Sequence, residues 1–343
     1  MNKDYGLAHS WRKTNRFGDG QSLIGDSSFT SQSAGRSPTM KRLFPAFFFS
    51  LSVLGLSAIA QEFNELKTLQ YGPGDTETSG ELNEGPLRVT VAHKEGTSEN
   101  GSFTTYTAEL GISVDDKPVF QLVGDEQLML STFVQIAEMD PSNPYPEVLY
   151  STFTGGAHCC NDAKVLTSNP DGTEWTLVEI GFFDGVPHSV VDIDQDQVYE
   201  FVTSDNRFLY KYSSYVGSYP PTQILSLKGD RIEDLSKDPR FQALHREQAK
   251  GMWNVIQELE PRQAEINGIL AGYAGTKALL GEFESGMEIV KTRYDRDSDW
   301  GLTNCVGGYD DQGECKGETI TYESFPKALK AFLEETGYLS APN

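Results

Sequence analysis

The segment KVLTSNPDGTEWTLVEI, residues 164–180, predicts two short β-strands joined by a tight turn. Both arms are rich in the branched and aromatic side chains that favour strands. The four residues between them, Asn169-Pro170-Asp171-Gly172, are types that bend a chain sharply. This hairpin is therefore the unit from which we predict the fold of the surrounding region.

Similar short apolar runs, punctuated by Gly, Asp, Asn and Pro, extend from Leu87 to about Leu235. The candidate strands are Leu87 to Ala92, Thr104 to Val114, Val119 to Val123, Thr132 to Glu138, Glu147 to Phe153, Lys164 to Ser168, Trp175 to Ile180, Ser189 to Asp192, Glu200 to Ser204, Phe208 to Tyr212 and Gln223 to Leu227. Many short strands at this spacing are typical of a sandwich, a barrel or a propeller.

The pattern changes to helix beyond Asp238-Pro239. Apolar residues recur at helical intervals in three stretches: from Phe241 to Ile256, from about Arg262 to Tyr294 with breaks near Gly281 and Gly286, and from Ser324 to Glu335. The predicted fold class is therefore α+β, with an N-terminal antiparallel β-rich domain, propeller-like or a sandwich, followed by a C-terminal α-helical domain.

Two further expectations concern the helical region. Trp253, Tyr273, Leu279 and Leu280 are predicted to be core residues packed against the β layer, and His245 is predicted to lie on the surface of a helix. Residues 295–321 are rich in Gly and Asp and are predicted to form a long loop, which a disulfide would order.

Residues 40–60 have the three parts of a secretory signal peptide. Met40-Lys41-Arg42 supplies positive charge, Leu43 to Leu56 is uncharged, and Ala58-Ile59-Ala60 fits signal peptidase, so that Gln61 would become the first residue. The apolar run is shorter than the roughly 20 residues that a spanning helix needs. We therefore predict a periplasmic or extracellular protein, and the alternative is an uncleaved anchor that follows a long cytoplasmic tail.

The predicted domain organisation follows from these segments. Residues 1–39 would be a spurious or disordered leader, 40–60 the signal peptide, 62–237 the β-rich domain and 238–343 the α-helical domain. The first 60 residues hold 7 basic and 3 acidic residues, which leaves 21 basic and 47 acidic residues and a formal charge of −26 beyond them. This charge argues against nucleic acid as a partner and, after signal cleavage, against an anionic membrane.

The chain has four cysteines, Cys159, Cys160, Cys305 and Cys315. An oxidising compartment favours disulfides, and four cysteines allow three pairings. We favour a bond between Cys305 and Cys315, because the nine-residue loop between them closes easily. Cys159 and Cys160 would then form a vicinal disulfide, and the alternatives are two thiols, two metal ligands or cross-pairing with the other two cysteines.

The strongest motif is the acidic loop, residues 192–200, with the sequence DIDQDQVYE. Carboxylates at its first, third, fifth and ninth positions, together with one backbone carbonyl, could converge on a hard cation such as Ca²⁺. The predicted ligands are Asp192, Asp194, Asp196, the backbone of Val198, and Glu200. The alternative is an acidic turn that is only solvated.

The acidic loop also belongs to a weak internal repeat. Met139-Asp140 followed by 146–151 is echoed by Val191-Asp192 followed by 199–204, and the two glutamates, Glu147 and Glu200, are 53 residues apart. This period suits a four-stranded propeller blade or a repeated hairpin.

Residues 130–230, and above all the acidic loop, resemble the FG-GAP and VCBS-type repeats of integrin-like propellers. In those families an Asp-x-Asp-x-Asp-Gly loop leads into a strand that begins with an acidic residue, as Glu200-Phe201-Val202 does here. The resemblance implies a calcium-stabilised, propeller-like region. Gln197 stands where the family has glycine, which tolerates a positive φ.

A second candidate site is the segment TGGAHCCND, residues 154–162. His158, Cys159 and Cys160, with His188 if the strands bring it near, offer ligands for a soft metal or a redox site. The compartment argument favours a vicinal disulfide instead. A third acidic triplet, Asp295, Asp297 and Asp299, lacks an acid at the later positions of a calcium loop, so a solvated loop is the expectation there.

The sequence therefore supports three functional hypotheses. The first is an exported, non-catalytic, calcium-stabilised protein that binds a protein or glycan partner. The second is a periplasmic enzyme or redox protein that uses His158, Cys159, Cys160 and His188. The third is an acidic inhibitor or receptor of a basic protein, towards which the negative charge would steer it.

Overall fold

A computed structural model describes residues 66–98, 101–156, 159–185, 190–259, 265–308, 310 and 314–340. The predicted signal peptide and leader lie outside the described residues. Contacts join residues 62–304 and 320–343 into one unit, whereas 305–319 fall in another, and each is described by itself. Within the described ranges, no helix is both long and apolar enough to cross a membrane.

The N-terminal part of the large unit is built of antiparallel strands. In chain order they are β1 (Thr68–Tyr71), β2 (Ser79–Glu84), β3 (Leu87–Thr97), β4 (Thr104–Val114), β5 (Lys117–Gln127), β6 (Thr132–Ala137), β7 (Glu147–Phe153), β8 (Cys159–Ser168), β9 (Trp175–Asp184), β10 (Val190–Val191), β11 (Glu200–Ser204), β12 (Thr222–Lys228) and β13 (Arg231–Asp234). They form three sheets with the orders β2-β3-β4-β5, β1-β6-β7-β8-β9 and β10-β11-β12-β13. The hairpin predicted from residues 164–180 is β8-β9, closed by the pair Ser168 and Trp175.

The five-stranded sheet is buried on both faces. Successive side chains of a strand point to opposite faces. Val134 and Val148 accordingly enter a core shared with β3 and β4, whereas Phe133 and Leu149 enter a second core shared with β10, β11 and β12. This double burial explains why β6 and β7 are buried along nearly their whole length.

Four helices and a further core form the C-terminal part. The helices are α1 (Gln242–Glu258), α2 (Ile266–Leu279), α3 (Phe283–Arg293) and α4 (Phe325–Glu335). Gly281 has a φ of +73° and separates α2 from α3, as the sequence predicts. The α+β fold class is therefore confirmed.

The helix α2 contacts the chain segment 213–221 through glycines. A Cβ on Gly272 would lie 1.6 Å from the carbonyl oxygen of Tyr219, and one on Gly268 would lie 2.2 Å from that of Gly217. Only a residue without a side chain allows backbone to approach a helix this closely. The two glycines, one helical turn apart, therefore set the distance between α2 and this segment.

The predicted strand Phe208 to Tyr212 is wrong. A single turn of 3₁₀ helix, Asn206–Phe208, begins there, capped by the side chain of Asp205, and the following residues form turns. Phe208 and Tyr212 are 3% and 2% exposed because both pack into the helical core. Strands β1, β2 and β13 are absent from the sequence prediction.

The prediction that His245 lies on the surface is also wrong. This side chain of α1 is fully buried, and its Nε2 lies 2.7 Å from the carbonyl oxygen of Ser236, to which it donates. Burial lowers the pKa of His245. The imidazole therefore satisfies a backbone carbonyl inside the protein.

The predicted loop 295–321 has structure of its own. It contains β14 (Thr303–Val306) and β15 (Glu318–Thr321). A disulfide joins Cys305 to Cys315, with their Cα atoms 5.6 Å apart, as the sequence predicts.

Candidate functional site

The acidic loop connects β10 to β11 and is folded around the side chain of Asp192. One oxygen of this carboxylate accepts the N–H of Asp196 and the other accepts the N–H of Gln197, each at 3.0 Å. The N–H of Val198 donates to Oδ1 of Asp196 at 2.9 Å. The carboxylates of Asp192 and Asp196 thus accept hydrogen bonds from the backbone N–H groups of the turn, and these bonds make the loop compact.

Three of the predicted ligands come together. Asp192, Asp194 and Asp196 each offer a carboxylate oxygen, and these oxygens lie within 4.8 Å of one another. Oδ1 of Asp194 is buried and lacks a hydrogen-bond partner among the residues that the structure describes. Converging carboxylates with an unsatisfied buried oxygen match the hard oxygen ligands that Ca²⁺ prefers.

Glu200 is placed differently from the three aspartates and is not part of their cluster. It begins β11, is 2% exposed, and its Oε2 accepts the N–H of Ile193 at 3.1 Å. Burial, followed by the negative charges of Asp194, Asp196 and Asp192, raises the pKa of Glu200 to about 7. The predicted fourth carboxylate therefore closes the base of the loop and takes up a proton near neutral pH.

Sequence reasoning missed Arg240, which belongs to the site. Its Nη1 lies 2.7 Å from Oδ2 of Asp194 and 3.9 Å from Oδ2 of Asp196. Arg240 lies in a turn of 3₁₀ helix, Pro239–Phe241, just before α1, and also pairs with Asp238. The guanidinium therefore supplies the acidic loop with positive charge from the start of the helical region.

Gln195 and Gln197 have φ angles of +64° and +73°. This left-handed conformation costs a side-chain-bearing residue about 1 kcal/mol or more, whereas glycine adopts it without this cost. We expect Gln197→Gly to raise the free energy of unfolding by up to about 1 kcal/mol. Urea denaturation of the variant and of the wild type measures this, and an unchanged or lower value would contradict it.

The upstream copy of the repeat has a related arrangement. Glu147 begins β7, is fully buried, and its Oε2 accepts the N–H groups of Met139 and Asp140 at 2.7 and 3.0 Å. Its Oε1 accepts the side-chain amide of Asn143 at 2.7 Å and the hydroxyl of Thr167 at 3.0 Å. In both copies a buried glutamate at the start of a strand thus binds the backbone of the preceding loop.

Burial dominates the electrostatics of Glu147. It raises the pKa of this carboxyl to about 7, against the lowering effect of the hydrogen bonds from Asn143, Met139 and Thr167. The two loops of the repeat are also joined directly, because the N–H of Tyr199 donates to the carbonyl oxygen of Glu138 at 2.8 Å. The two copies of the repeat therefore resemble each other in structure as well as in sequence.

The His-Cys-Cys segment is described only in part. His158 and His188, and the side chain of Cys159, lie outside the described residues. Cys160 is disulfide-bonded, and its backbone forms two hydrogen bonds with Thr154, whose N–H donates to the Cys160 carbonyl oxygen at 2.8 Å. The vicinal disulfide and the alternative metal or redox site stay predictions.

Comparison with known proteins identifies relatives. A family model described as the sll0997 C-terminal domain matches residues 245–337, which include most of α1 and all of α2, α3 and α4. The "Probable thylakoid lumen protein sll0997" of Synechocystis sp. (strain ATCC 27184 / PCC 6803 / Kazusa) is 41% identical over 275 residues, 80% of each chain.

A second relative is the "Uncharacterized protein y4bJ" of Sinorhizobium fredii (strain NBRC 101917 / NGR234). It is 33% identical over 256 residues, which are 74% of this chain and 40% of that protein. No solved structure matches the chain.

Proposed function

The chain belongs to the family of the probable thylakoid lumen protein sll0997, and we propose that it is an exported, non-catalytic interaction protein whose acidic loop binds Ca²⁺. The observation that carries the proposal is the convergence of Asp192, Asp194 and Asp196 beside an orphaned buried oxygen of Asp194. In this proposal the ion stabilises the loop between β10 and β11 and, with it, the FG-GAP-like repeat.

Two observations support export. The relative from Synechocystis is named as a probable thylakoid lumen protein, and the thylakoid lumen lies outside the cytoplasm. The chain also has the disulfide Cys305–Cys315, a bond that persists in oxidising compartments. Both agree with the signal peptide predicted at residues 40–60.

The two buried glutamates have a structural role in the proposed arrangement. Oε2 of Glu147 and Oε2 of Glu200 both accept backbone N–H groups of their own loops. These contacts hold a loop to a strand.

Arg240 sharpens the test of calcium binding. The guanidinium holds one oxygen of Asp194, so a cation must compete with it for that carboxylate. We expect the wild type to bind Ca²⁺ with a dissociation constant of about 10⁻⁴–10⁻³ M, the range of extracellular modules. Arg240→Gln should bind about tenfold more tightly, a difference of about 1.4 kcal/mol.

Isothermal titration calorimetry with Ca²⁺ measures both constants. The double variant Asp194→Ala/Asp196→Ala is the control that should release no heat. Binding should also weaken as the pH falls from 8 to 6. Glu200, with a pKa raised to about 7, takes up a proton in this range, and the loss of its negative charge near the three aspartates reduces their attraction for the cation. Absence of heat and of a melting-temperature shift in the wild type and in Arg240→Gln alike would reject the proposal.

A further inference from the structure

Three aromatic side chains form an aromatic patch on the large unit: Tyr210, Tyr215 and Trp300. Tyr210 is 53% exposed and Trp300 is 41% exposed. The ring centroids of Tyr210 and Tyr215 are 5.7 Å apart, and the indole N–H of Trp300 donates to the carbonyl oxygen of Tyr210 at 2.9 Å. The patch therefore joins residues 90 positions apart in the sequence.

The aromatic patch is held rigidly. The hydroxyl of Tyr215 donates to the carboxylate of Asp184. Gly301 has a φ of +74°, and a Cβ there would lie 2.1 Å from the carbonyl oxygen of Lys211, so the loop with Trp300 lies directly against the backbone after Tyr210. Rings held in place before binding lose little conformational entropy when a partner arrives.

Tyr210 itself is strained. It has a φ of +58°, a conformation that is uncommon for a residue with a large side chain and is concentrated at binding and catalytic sites. The hydrogen bond from Trp300 to its carbonyl oxygen helps to hold this conformation. The strained backbone thus directs a large ring towards solvent, whereas Tyr212, two residues later, is 2% exposed.

Acidic residues lie in the chain segments that form the aromatic patch. Asp184 contacts Tyr215, and the exposed residues Asp297 and Asp299 lie three positions and one position before Trp300 in the same loop. The whole chain has a formal charge of −22. The face of an aromatic ring attracts cations, and a neighbour illustrates this attraction, because the guanidinium carbon of Arg296 lies 5.5 Å from the ring centre of Tyr294.

We propose that the aromatic patch docks a basic segment of a partner protein, with an arginine or lysine side chain over the exposed rings and the carboxylates of Asp297 and Asp299 beside it. The proposal rests on the interaction role proposed above but not on calcium. Charge complementarity favours this occupant, because the two exposed aspartates in the loop of Trp300 and the net negative charge of the chain repel anionic ligands and steer cationic ones. Tyrosine and tryptophan are also the residues that most often dominate the binding energy of protein interfaces.

A labelled peptide tests the proposal directly. The probe is a fluorescent nonapeptide of alternating Arg and Gly, and its control carries citrulline, which is neutral but of the same shape, in place of each Arg. Fluorescence anisotropy at 150 mM salt, with and without Ca²⁺, gives the dissociation constants. We expect the Arg peptide to bind at least tenfold more tightly than the citrulline peptide.

Variants then locate the binding site. Trp300→Ala should weaken binding of the Arg peptide about tenfold, whereas Phe103→Ala, which removes another exposed ring, should not change it. Asp297→Asn/Asp299→Asn should weaken binding and reduce its dependence on salt, and this double variant tests the site even if Trp300→Ala lowers the melting temperature.

Three outcomes would overturn the proposal: equal binding of the two peptides, equal effects of Trp300→Ala and Phe103→Ala, or binding of a neutral oligosaccharide that Trp300→Ala abolishes while the Arg peptide does not bind. Since the peptide titration is done with and without Ca²⁺, failure here is separate from failure of the calcium site, which calorimetry reports.

Discussion

Replacing Gly272 by alanine is expected to destabilise the protein by about 3 kcal/mol or more. The added Cβ would lie 1.6 Å from the carbonyl oxygen of Tyr219, which is backbone and cannot turn away as a side chain can. To accept it, α2 must separate from the segment 213–221, and the packing of Tyr212 and Phe208 in the same core would loosen with it.

The chain offers a matched control in Gly251, an exposed glycine of α1. Apart from the adjacent backbone of the same helix, a Cβ there would meet no atom of the described residues within 4 Å. Alanine is favoured over glycine inside a helix, so Gly251→Ala should stabilise the protein by about 0.5–1 kcal/mol. Chemical denaturation of both variants measures the two changes. If Gly272→Ala stabilised the protein as Gly251→Ala should, helix propensity, and not the close approach of Tyr219, would decide the effect at Gly272.

The free energy of unfolding is expected to fall as the pH rises from 5 to 8, with a contribution of roughly 3 kcal/mol from Glu147 alone. The folded protein raises the pKa of this carboxyl from 4.5 to about 7. Between these values the folded state binds the proton and the unfolded state has lost it. The stabilisation is therefore complete below pH 4.5 and is lost as the pH passes through 7.

Glu147→Gln tests this assignment, because an amide does not titrate. The variant should be less stable than the wild type at low pH, since its amide nitrogen cannot accept the hydrogen bonds that an oxygen of Glu147 accepts. Its stability should nevertheless depend less on pH between 5 and 8. Urea denaturation across this pH range measures the stability of Glu147→Gln. The control is Glu81→Gln, a change at an exposed glutamate that should leave the pH dependence of the free energy of unfolding unchanged. If the free energy of unfolding of Glu147→Gln depends on pH as strongly as that of the wild type, groups other than Glu147 cause the pH dependence.

The sequence predicted the parts of the fold that local pattern determines. Thr104–Val114, Glu147–Phe153 and Glu200–Ser204 have the predicted bounds, because turn residues frame runs suited to a buried strand. Ser79–Glu84 was missed because only Leu82 of this strand is buried, which leaves almost no apolar signal. Local pattern therefore detects a strand through its buried side chains.

The errors arise where distant parts of the chain meet. Phe208 and Tyr212 suggested a strand, but their apolar side chains fill the core of helices that occur later in the sequence. His245 can be buried because its ring N–H donates a hydrogen bond to the carbonyl oxygen of Ser236, a contact that the pattern of apolar residues does not reveal. Arg240 gave no local signal either, since its partner Asp194 is 46 residues away and only the folded chain brings them together.

The two loops of the repeat differ in where the partners of their carboxylates come from. At Glu147 two neutral side chains donate to the carboxylate, the amide of Asn143 from within the same loop and the hydroxyl of Thr167 from β8. At Asp194 the partner is a positive side chain, Arg240, which comes from the start of the helical region. The charge balance of the acidic loop therefore depends on the residue that precedes α1, so that a change of charge at Asp194 calls for an opposite change at Arg240.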